Sequence, residues 1–221
     1  MKLAVTPLVL STATFGLMLG VPQNAQASGL IRNVTPSASG FTGTAVGSLA
    51  ATTNGAGLPG DKPSLTGTHT ATSITNSWRT PLLNSPNSVG NVVIEFAFNR
   101  IYNLAGFSFW NTNSSTALAQ VGIKNVTIEY KLGGGAWTAL SGAPTTFGIG
   151  TTTATILEQE FNFTPVLATN VRFRNMTNQG GIGGNNRLGF NEIQFRSIPE
   201  PSSTLALLAL GLAGVGLKKR I

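Results

Sequence analysis

Residues 124–140 read KNVTIEYKLGGGAWTAL, and this stretch has the pattern of a β-hairpin. Val126 and Ile128 fall on one face of an extended chain, and the polar residues between them fall on the other. The three glycines at 133–135 can take the positive φ angles that a tight hairpin turn requires. Residues 137–140 then supply a short partner strand. The stretch predicts two antiparallel strands of a sheet with one buried face.

The same alternation of apolar and polar residues recurs along the chain, whereas no long window has helical periodicity. The stretch 37–67 is rich in Gly, Thr, Ser and Ala, and we expect it to hold one or two edge strands and long loops. Many short strands separated by polar turns are typical of a β-sandwich. The further strands are predicted at residues 91–98, 104–110, 156–163, 170–175 and 188–196.

Composition and charge restrict the functions open to the chain. Its 221 residues suffice for one domain of ordinary size, and only 10% of them are charged. Residues 28–197 hold ten Lys/Arg and six Asp/Glu, a net charge of +4 that is scattered singly. A mildly basic solvated surface explains this better than nucleic-acid binding, which needs a basic stripe. The lack of cysteine excludes disulfides, thiolate metal sites and a cysteine nucleophile.

The N-terminus has the three parts of a secretory signal peptide. Lys2 supplies a positive charge, residues 3–21 form an apolar run, and the small residues Ala25 and Ala27 stand at the −3 and −1 positions of a cleavage site. We expect a signal helix within a signal peptide at residues 1–27, with cleavage after Ala27. The alternative is an uncleaved membrane anchor, although the run is short for a spanning helix.

The C-terminus also has three parts in a fixed order. Pro199, Glu200 and Pro201 are followed by an uncharged Leu-, Ala- and Gly-rich run at 202–217 and then by the basic tail 218–221. The run is at the short limit for a transmembrane helix, and a basic tail tends to stay on the cytoplasmic side. We therefore expect a C-terminal transmembrane helix that tethers the domain to the inner membrane, with the body of the protein outside it.

This ending closely resembles the PEP-CTERM sorting signal. The resemblance implies processing by an exosortase, a membrane cysteine peptidase that cuts near the Pro-Glu-Pro triplet, in a bacterium that makes exopolysaccharide. The alternative is a plain anchor helix that follows a chance triplet. The chain then divides into a signal peptide at 1–27, a β-sandwich domain at 28–197 and a sorting and anchor segment at 198–221.

Several segments of the middle region stand in a distinctive order. They are NGAGL at 54–58, THT at 68–70, SW at 77–78, VIEF at 93–96, FWNTN at 109–113, GIKNVTIEY at 122–130, VRF at 171–173 and LGFNEIQF at 188–195. Together they resemble the discoidin (coagulation factor 5/8 type C) domain. The resemblance implies an all-β, galactose-binding-like jelly-roll β-sandwich. Two departures are the glycine turn, where the family often has Ser-x-Asp-Gly, and Asn191-Glu192-Ile193, where it often has Ser-Glu-Val.

The same resemblance implies a structural calcium ion held between an early loop and the last strand. Glu192 matches the carboxylate of the last strand, and Asp61 with carbonyl groups of residues 54–66 would complete the oxygen ligands that calcium prefers. The alternative is that Glu192 is a structural acid whose hydrogen bonds are satisfied by the protein.

A sugar site would need an aromatic face and planar polar side chains on the loops at one end of the sandwich. Packing explains Arg79, Arg187 and the loop at 178–186 least, and loops carry function more often than cores. Trp110 and Trp137 instead fit core positions of strands. The candidate ligand-binding residues are Trp78, Arg79, Asn111, Asn113, Arg172, Asn178, Asn185 and Arg187.

The sequence offers little for catalysis. A Ser-His-Asp triad would have to use His69 and Asp61, eight residues apart, and no nucleophile elbow is present. Glu158 and Glu160 share a face of a predicted strand at about 7 Å, which fits a solvated face better than a pair of catalytic carboxylates. We therefore expect a non-enzymatic surface or matrix protein that binds exopolysaccharide. A structural or adhesive component that binds protein partners is the second hypothesis, and a hydrolase is the third.

Mass spectrometry of the native protein from membrane and medium fractions tests both predicted ends. We expect an N-terminus at Ser28, because small residues precede it at the cleavage site, and a mass that lacks the segment after the triplet. A mature mass that still includes residues 202–221 would show that no processing occurs at the triplet.

Overall fold

A computed structural model describes residues 29–181 and 186–198 of the chain. The predicted signal helix and the predicted C-terminal transmembrane helix lie outside these residues. Within the described part, no helix is both long enough and apolar enough to cross a membrane.

The described chain is built almost entirely of β-strands, with one short helix, α1 (Thr116–Val121), and three 3-10 turns at Leu49–Thr52, Pro59–Asp61 and Pro86–Asn91. A seven-stranded sheet has the order β1-β10-β5-β8-β6-β7, with β2 also paired to β5, and a three-stranded sheet has the order β3-β4-β9. The strands are β1 (Gly29–Leu30), β2 (Thr35–Ser39), β3 (Val46–Gly47), β4 (Trp78–Arg79), β5 (Val93–Trp110), β6 (Thr127–Lys131), β7 (Thr138–Ala139), β8 (Gln159–Arg174), β9 (Gly189–Phe190) and β10 (Glu192–Ser197).

The centre of the fold is a long antiparallel ribbon of β5 and β8 that folds back on itself. The ribbon has bulges between Ala97 and Tyr102 and between Leu104 and Gly106. Rings on the two sides of the bend meet, since Phe96 lies 5.2 Å from Phe195, a β10 residue paired with the far half of β5. The two halves of the ribbon therefore belong to facing layers, and the prediction of a β-sandwich is confirmed.

The sequence predicts two separate strands in place of β5 and two separate strands in place of β8. Residues 91–98 and 104–110 form parts of β5, and residues 156–163 and 170–175 overlap with β8. No strand is predicted for residues 99–103, but the chain turns there through a bulge and the hydrogen-bond ladder resumes beyond it.

Aromatic residues dominate the core between the layers. Phe109 stacks on Phe147 with ring centroids 4.1 Å apart and on Phe190 at 5.6 Å. Trp110 is fully buried, as predicted, and its indole N–H donates to the carbonyl oxygen of Gly67 at 2.9 Å. Burying one such side chain contributes about 2–3 kcal/mol of hydrophobic free energy, so the aromatic cluster contributes strongly to stability.

The predicted hairpin at 124–140 is present as β6 and β7, which pair from Glu129↔Ala139 to Tyr130↔Thr138. The prediction that Trp137 lies in the core is wrong. Its ring is half-buried, with the Lys131 ammonium 4.5 Å and the Arg172 guanidinium 4.3 Å from its centroid. Because β7 is an edge strand, Trp137 covers charged side chains at the surface instead of filling the interior.

The two ends of the sandwich differ in what they carry. The bend of the ribbon, residues 98–103, forms the corner end, where the N–H of Ile198 donates to the carbonyl oxygen of Asn103 at 2.9 Å. The bend lies in the middle of β5, and the two halves of this strand extend away from it in the same direction. The first and last residues of β5 therefore lie at the opposite end of the sandwich. We call this the loop end, since the long loops 40–45, 53–77, 111–115 and 146–158 gather there.

Replacing Gly57 by alanine is expected to destabilise the domain more than replacing Gly60. Both glycines have positive φ angles, +87° and +70°. A Cβ atom on Gly57 would lie 2.6 Å from Cε1 of buried His69, whereas one on Gly60 would meet no atom within 4 Å. We expect Gly60→Ala to lose about 1 kcal/mol through φ alone, and Gly57→Ala to lose about 2–4 kcal/mol through φ and the clash. Urea unfolding measures both, and equal losses would contradict the clash.

Candidate functional site

Asn111 and Asn113, predicted to bind a sugar, lie inside the loop end. Both side chains are fully buried. The Asn111 amide donates to the carbonyl oxygens of Ile123 at 2.8 Å and Gly148 at 2.9 Å. The Asn113 amide oxygen accepts from the N–H of Thr72 at 2.9 Å. These amides join loops that are distant in sequence, so their role is structural.

Trp78 and Arg172 are also occupied within the protein. Trp78 is buried between Phe41, at 5.8 Å between ring centroids, and Phe190, at 6.4 Å. The Arg172 guanidinium lies beside the Trp137 ring, and its Nε donates to Glu129 at 2.6 Å. That pair lies on β6 and β8, away from the loop end, so the structure does not bring Arg172 together with the other candidates.

Asn178 closes the base of the loop that the sequence singled out. It is buried, its amide donates to the carbonyl oxygen of Arg187 at 2.8 Å, and its amide oxygen accepts from the N–H of Gly181 at 2.9 Å. It therefore shapes the loop. Asn185, the remaining candidate of this loop, lies outside the described residues.

Arg79 and Arg187 are the two candidates that the fold places together. The register of β4 and β9 pairs Arg79 with Gly189, and the N–H of Thr80 donates to the carbonyl oxygen of Leu188 at 2.8 Å, so the pairing continues towards Arg187. Arg187 stands two residues before Gly189, and in an extended chain this spacing places it on the same face as Gly189. Gly189 leaves room for this arrangement, because a Cβ atom there would lie 2.4 Å from Cγ of Arg79. Both arginines are half-buried. Burial, and then the charge of Arg187, lower the pKa of Arg79.

A cleft of about 420 Å³ is lined in part by residues that follow Arg79 in the chain, and neither arginine is part of its lining. Leu83, in the wall of the cleft, is hydrogen-bonded to Asn186, the residue before Arg187. The N–H of Leu83 donates to the carbonyl oxygen of Asn186 at 2.9 Å. Phe41 supplies a half-buried aromatic ring, and the exposed amides of Asn84 and Asn91 supply donors and acceptors. The cleft is lined by Gly40, Phe41, Thr42, Leu82, Leu83, Asn84, Ser88 and Asn91, and we call it the loop-end cleft.

Sequence reasoning missed the loop-end cleft. It is assembled from the end of β2, the 3-10 turn before β5 and the segment between them, which are distant in sequence. The sequence pattern around Pro86 predicts only a turn. The available signal was the set of asparagines in this segment, Asn84, Asn87 and Asn91, together with the exposed Leu82 beside it.

A larger cleft of about 660 Å³ at the same end has a different lining. Its exposed side chains include Ile149, at 59%, and Leu157, at 66%. The amide of Gln159 is already bonded to the backbone of Gly148. The lining contains neither an aromatic nor a charged side chain, so this cleft fits a sugar less well.

Glu192 and Asp61, the predicted calcium ligands, both bind the backbone of one loop. Oε1 of Glu192 accepts from the N–H of Gly55 at 3.0 Å and from the Gln194 amide. Oδ1 of Asp61 accepts from the N–H of Gly57 at 2.8 Å. No group of three or more His, Cys, Asp or Glu side chains in the described part of the chain could hold a metal ion.

The second oxygen of Glu192 is the feature that suits a cation. Oε2 is buried and has no hydrogen-bond partner among the described residues, and burial raises the pKa of Glu192 to about 8. Either a proton or a calcium ion would satisfy this oxygen. The residues that would hold the ion are Glu192 and carbonyl groups of the loop at 54–66, and a bound ion would fix that loop to β10.

His69 has no access to a substrate. The ring is fully buried, and the 2.8 Å contact of Nδ1 with the carbonyl oxygen of Thr70 requires the proton to be on Nδ1. Burial lowers the pKa of His69, so the ring is neutral at pH 7. Glu158 accepts from the N–H of Gly67 at 3.2 Å, and Glu160 pairs with Arg196 at 2.7 Å. These groups serve the fold.

Comparison with known proteins assigns the end of the chain. Residues 197–220 match the PEP-CTERM protein-sorting motif, which confirms the resemblance seen in the sequence. The motif indicates export and sorting to the cell envelope or surface. It begins inside β10, directly at the corner end. Comparison with curated proteins gives no match.

Several solved structures are similar in fold. GH31 CBM32-2 bound to GalNAc is 15% identical, with a TM-score of 0.46, over 74% of this chain and 97% of that one. The family 32 CBM of NanJ from Clostridium perfringens, in complex with galactose, is 12% identical, with a TM-score of 0.43, over 77% and 99%. An F5/8 type C domain from Bacteroides fragilis is 17% identical, with a TM-score of 0.41, over 56% and 74%. These similarities assign no role to any residue of this chain.

The raised pKa of Glu192 predicts that stability falls as pH rises. The folded protein holds this proton up to about pH 8, whereas the unfolded chain loses it near pH 4.5. The favourable contribution is therefore complete below pH 4.5 and is lost as pH rises towards 8. Without a cation, the free energy of unfolding should drop by on the order of 3 kcal/mol between pH 5 and pH 8.

Denaturant unfolding across this pH range, in chelator, tests the prediction. Glu192→Gln should remove most of the slope, whereas the control Glu158→Gln, a partly exposed carboxylate, should keep it. An unchanged slope in Glu192→Gln would contradict the assignment. At pH 8, added calcium should stabilise the unaltered protein and not Glu192→Gln, and no response in either would contradict a calcium site.

Proposed function

We propose that this protein is an exported, envelope-sorted protein whose β-sandwich binds carbohydrate without catalysis. The observation that carries the proposal is the loop-end cleft, which combines one aromatic ring with exposed amides. It lies at the end of the domain opposite the sorting motif, so a tethered domain would present it away from its attachment.

The contents of the loop-end cleft suit a sugar. The face of an aromatic ring such as Phe41 packs against the C–H surface of a pyranose, and its tilt against Trp78 fixes its orientation. The amides of Asn84 and Asn91 can each donate and accept, as neighbouring hydroxyl groups require. A volume of about 420 Å³ accommodates one or two sugar units.

The rigidity of the loop end supports the same proposal. Binding residues on loops are effective when a rigid scaffold positions them. Here the buried amides of Asn111 and Asn113 tie neighbouring loops together, and the two hydrogen bonds between Leu83 and Asn186 brace the wall of the cleft. A pre-formed site of this kind loses little conformational entropy on binding.

The proposed function also includes how the protein is processed and which polymer it binds. An exosortase would process the chain near the triplet at 199–201, and before processing the C-terminal helix would hold the domain to the inner membrane. The ligand would be the exopolysaccharide of the envelope or matrix. The domain then retains or organises that polymer at the cell surface.

A second candidate function is adhesion to a protein partner. The larger cleft favours it, because Ile149 and Leu157 expose apolar surface there and protein contacts bury such patches. Variants that place a charge on Leu157 would weaken protein adhesion without changing glycan binding.

Affinity electrophoresis in gels that contain single polysaccharides, including the polymer of the producing bacterium, tests the first function. Asn84→Ala combined with Asn91→Ala should weaken binding about tenfold, because each removes hydrogen bonds to the ligand. Both side chains are exposed, so folding should not suffer. The control is Asn99→Ala, which removes an exposed amide at the corner end.

Two outcomes would count against the proposal. Equal retardation of the double variant and the unaltered protein would show that the ligand does not bind in the loop-end cleft. No retardation of the unaltered protein by any glycan would contradict carbohydrate binding.

A further inference from the structure

Arg79 and Arg187 lack a counter-charge among the residues that the structure describes. In the described part of the chain, neither arginine forms an ion pair, and no hydrogen bond of either guanidinium to a described residue is present. Nε of Arg79 is shielded from solvent and has no partner there. Water therefore does not replace the missing acceptor at this atom.

The carboxylates of the domain are all engaged elsewhere. Three of them bind arginine or lysine side chains, and the other three bind backbone N–H groups of loops. The pairs are Glu95 with Lys131, Glu129 with Arg172 and Arg174, Glu160 with Arg196, Asp61 with Gly57, Glu158 with Gly67, and Glu192 with Gly55. None of these six is left to neutralise Arg79 and Arg187.

The sheet holds the two like charges close together. Arg187 lies two residues before β9, diagonally opposite Arg79. Residues in this relation across an antiparallel pair have Cα atoms about 7–8 Å apart. The charge of Arg187 helps to lower the pKa of Arg79, so the two guanidinium groups repel each other, and partial burial increases the effect because water screens them less. The aliphatic part of Arg79 is fixed over Gly189, so it has little freedom to turn away. An anion beside both guanidinium groups would relieve the repulsion and supply acceptors.

We propose that Arg79 and Arg187 bind a uronate carboxylate of the ligand at the border of the loop-end cleft. The ligand class is then an acidic polysaccharide. This inference rests on the proposed glycan binding. The planar fork of a guanidinium matches the two oxygens of a carboxylate or sulfate, and such charge-assisted bonds are stronger than neutral ones.

The surroundings favour a saccharide anion over a nucleic acid. A nucleic-acid site has a stripe of cations that follows successive phosphates, whereas two arginines form an isolated pair here. The neighbouring cleft, with Phe41 and two exposed amides, provides contacts for the neutral part of a sugar. An acidic sugar unit uses both features at once.

The first test compares polygalacturonate with the same polymer fully methyl-esterified, by titration calorimetry at fixed ionic strength. The unaltered protein should bind the acidic polymer at least tenfold more tightly. Arg187→Gln should lose that preference, and Arg79→Lys should lose most of it, because lysine keeps the charge but not the fork. Arg100→Gln, an exposed arginine at the corner end, is the matched control and should retain the preference.

The second test reports on the site without any polymer. Galacturonate, with galactose as the neutral control, is titrated while the arginine Nε–H resonances are followed by ¹H–¹⁵N NMR. The resonance of Arg79 should shift with galacturonate and not with galactose, and that of Arg100 should not move. Because the Nε–H of Arg79 is shielded from solvent, its proton should exchange slowly enough to be observed.

The outcomes separate this inference from the proposed function. Equal binding of both polymers, with no shift at Arg79, would overturn the acidic site and leave glycan binding intact. A galacturonate shift at Arg79 without binding of either polymer would support the anion site and contradict binding of a galacturonate polymer. Equal losses in Arg187→Gln and Arg100→Gln would show that net charge alone attracts the polymer and would overturn the site.

Discussion

The antiparallel pairing of β5 with β8 has to continue through a bend, and the rest of the domain depends on it. Each strand contributes its first half to one layer and its second half to the other. The apolar side chains of both halves therefore face one shared core, in which Phe107 lies 6.0 Å from Phe173. Bulges absorb the extra residues at the bend, so the chain changes layer without an unpaired linker in the interior.

This arrangement makes the two ends unequal. The bend closes one end with short connections, whereas every long connection has to be made at the other. Long loops would be flexible without hydrogen-bond partners inside the protein, and here buried side-chain amides provide those partners. Asn113 and Asn191 bond to each other at 3.0 Å, and Thr72 bonds to both. A fully bonded polar cluster of this kind fixes loop positions as firmly as packing does.

The sequence carried enough information for the strands, the hairpin and the sorting motif. Alternation reports one-sided burial directly, and the motif is read residue by residue. The roles of Asn111 and Asn113 could not be read in this way, because an amide that binds a loop carbonyl is the same residue type as one that binds a sugar. The prediction that Trp137 is a core residue failed for a related reason, since the sequence pattern cannot distinguish an edge strand from a central one.

The loop-end cleft and the arginine pair differ in how much of each the sequence could predict. Phe41 and Asn91 are fifty residues apart, and only the pairing of β2 with β5 brings them together. Arg79 and Arg187 were singled out because packing did not explain them, but their adjacency is a matter of strand register between β4 and β9. Register depends on the whole sheet, so it could not be deduced from either segment alone.

The bond between Ile198 and Asn103 has a consequence for how the protein can be used. The sorting motif starts where the last strand ends, so this bond holds the first residues of the motif at the corner end of the domain. Under the proposed function, the polymer would bind at the opposite end. Processing near the triplet and capture of a ligand would then not obstruct each other, and the chain could be cut with its ligand bound.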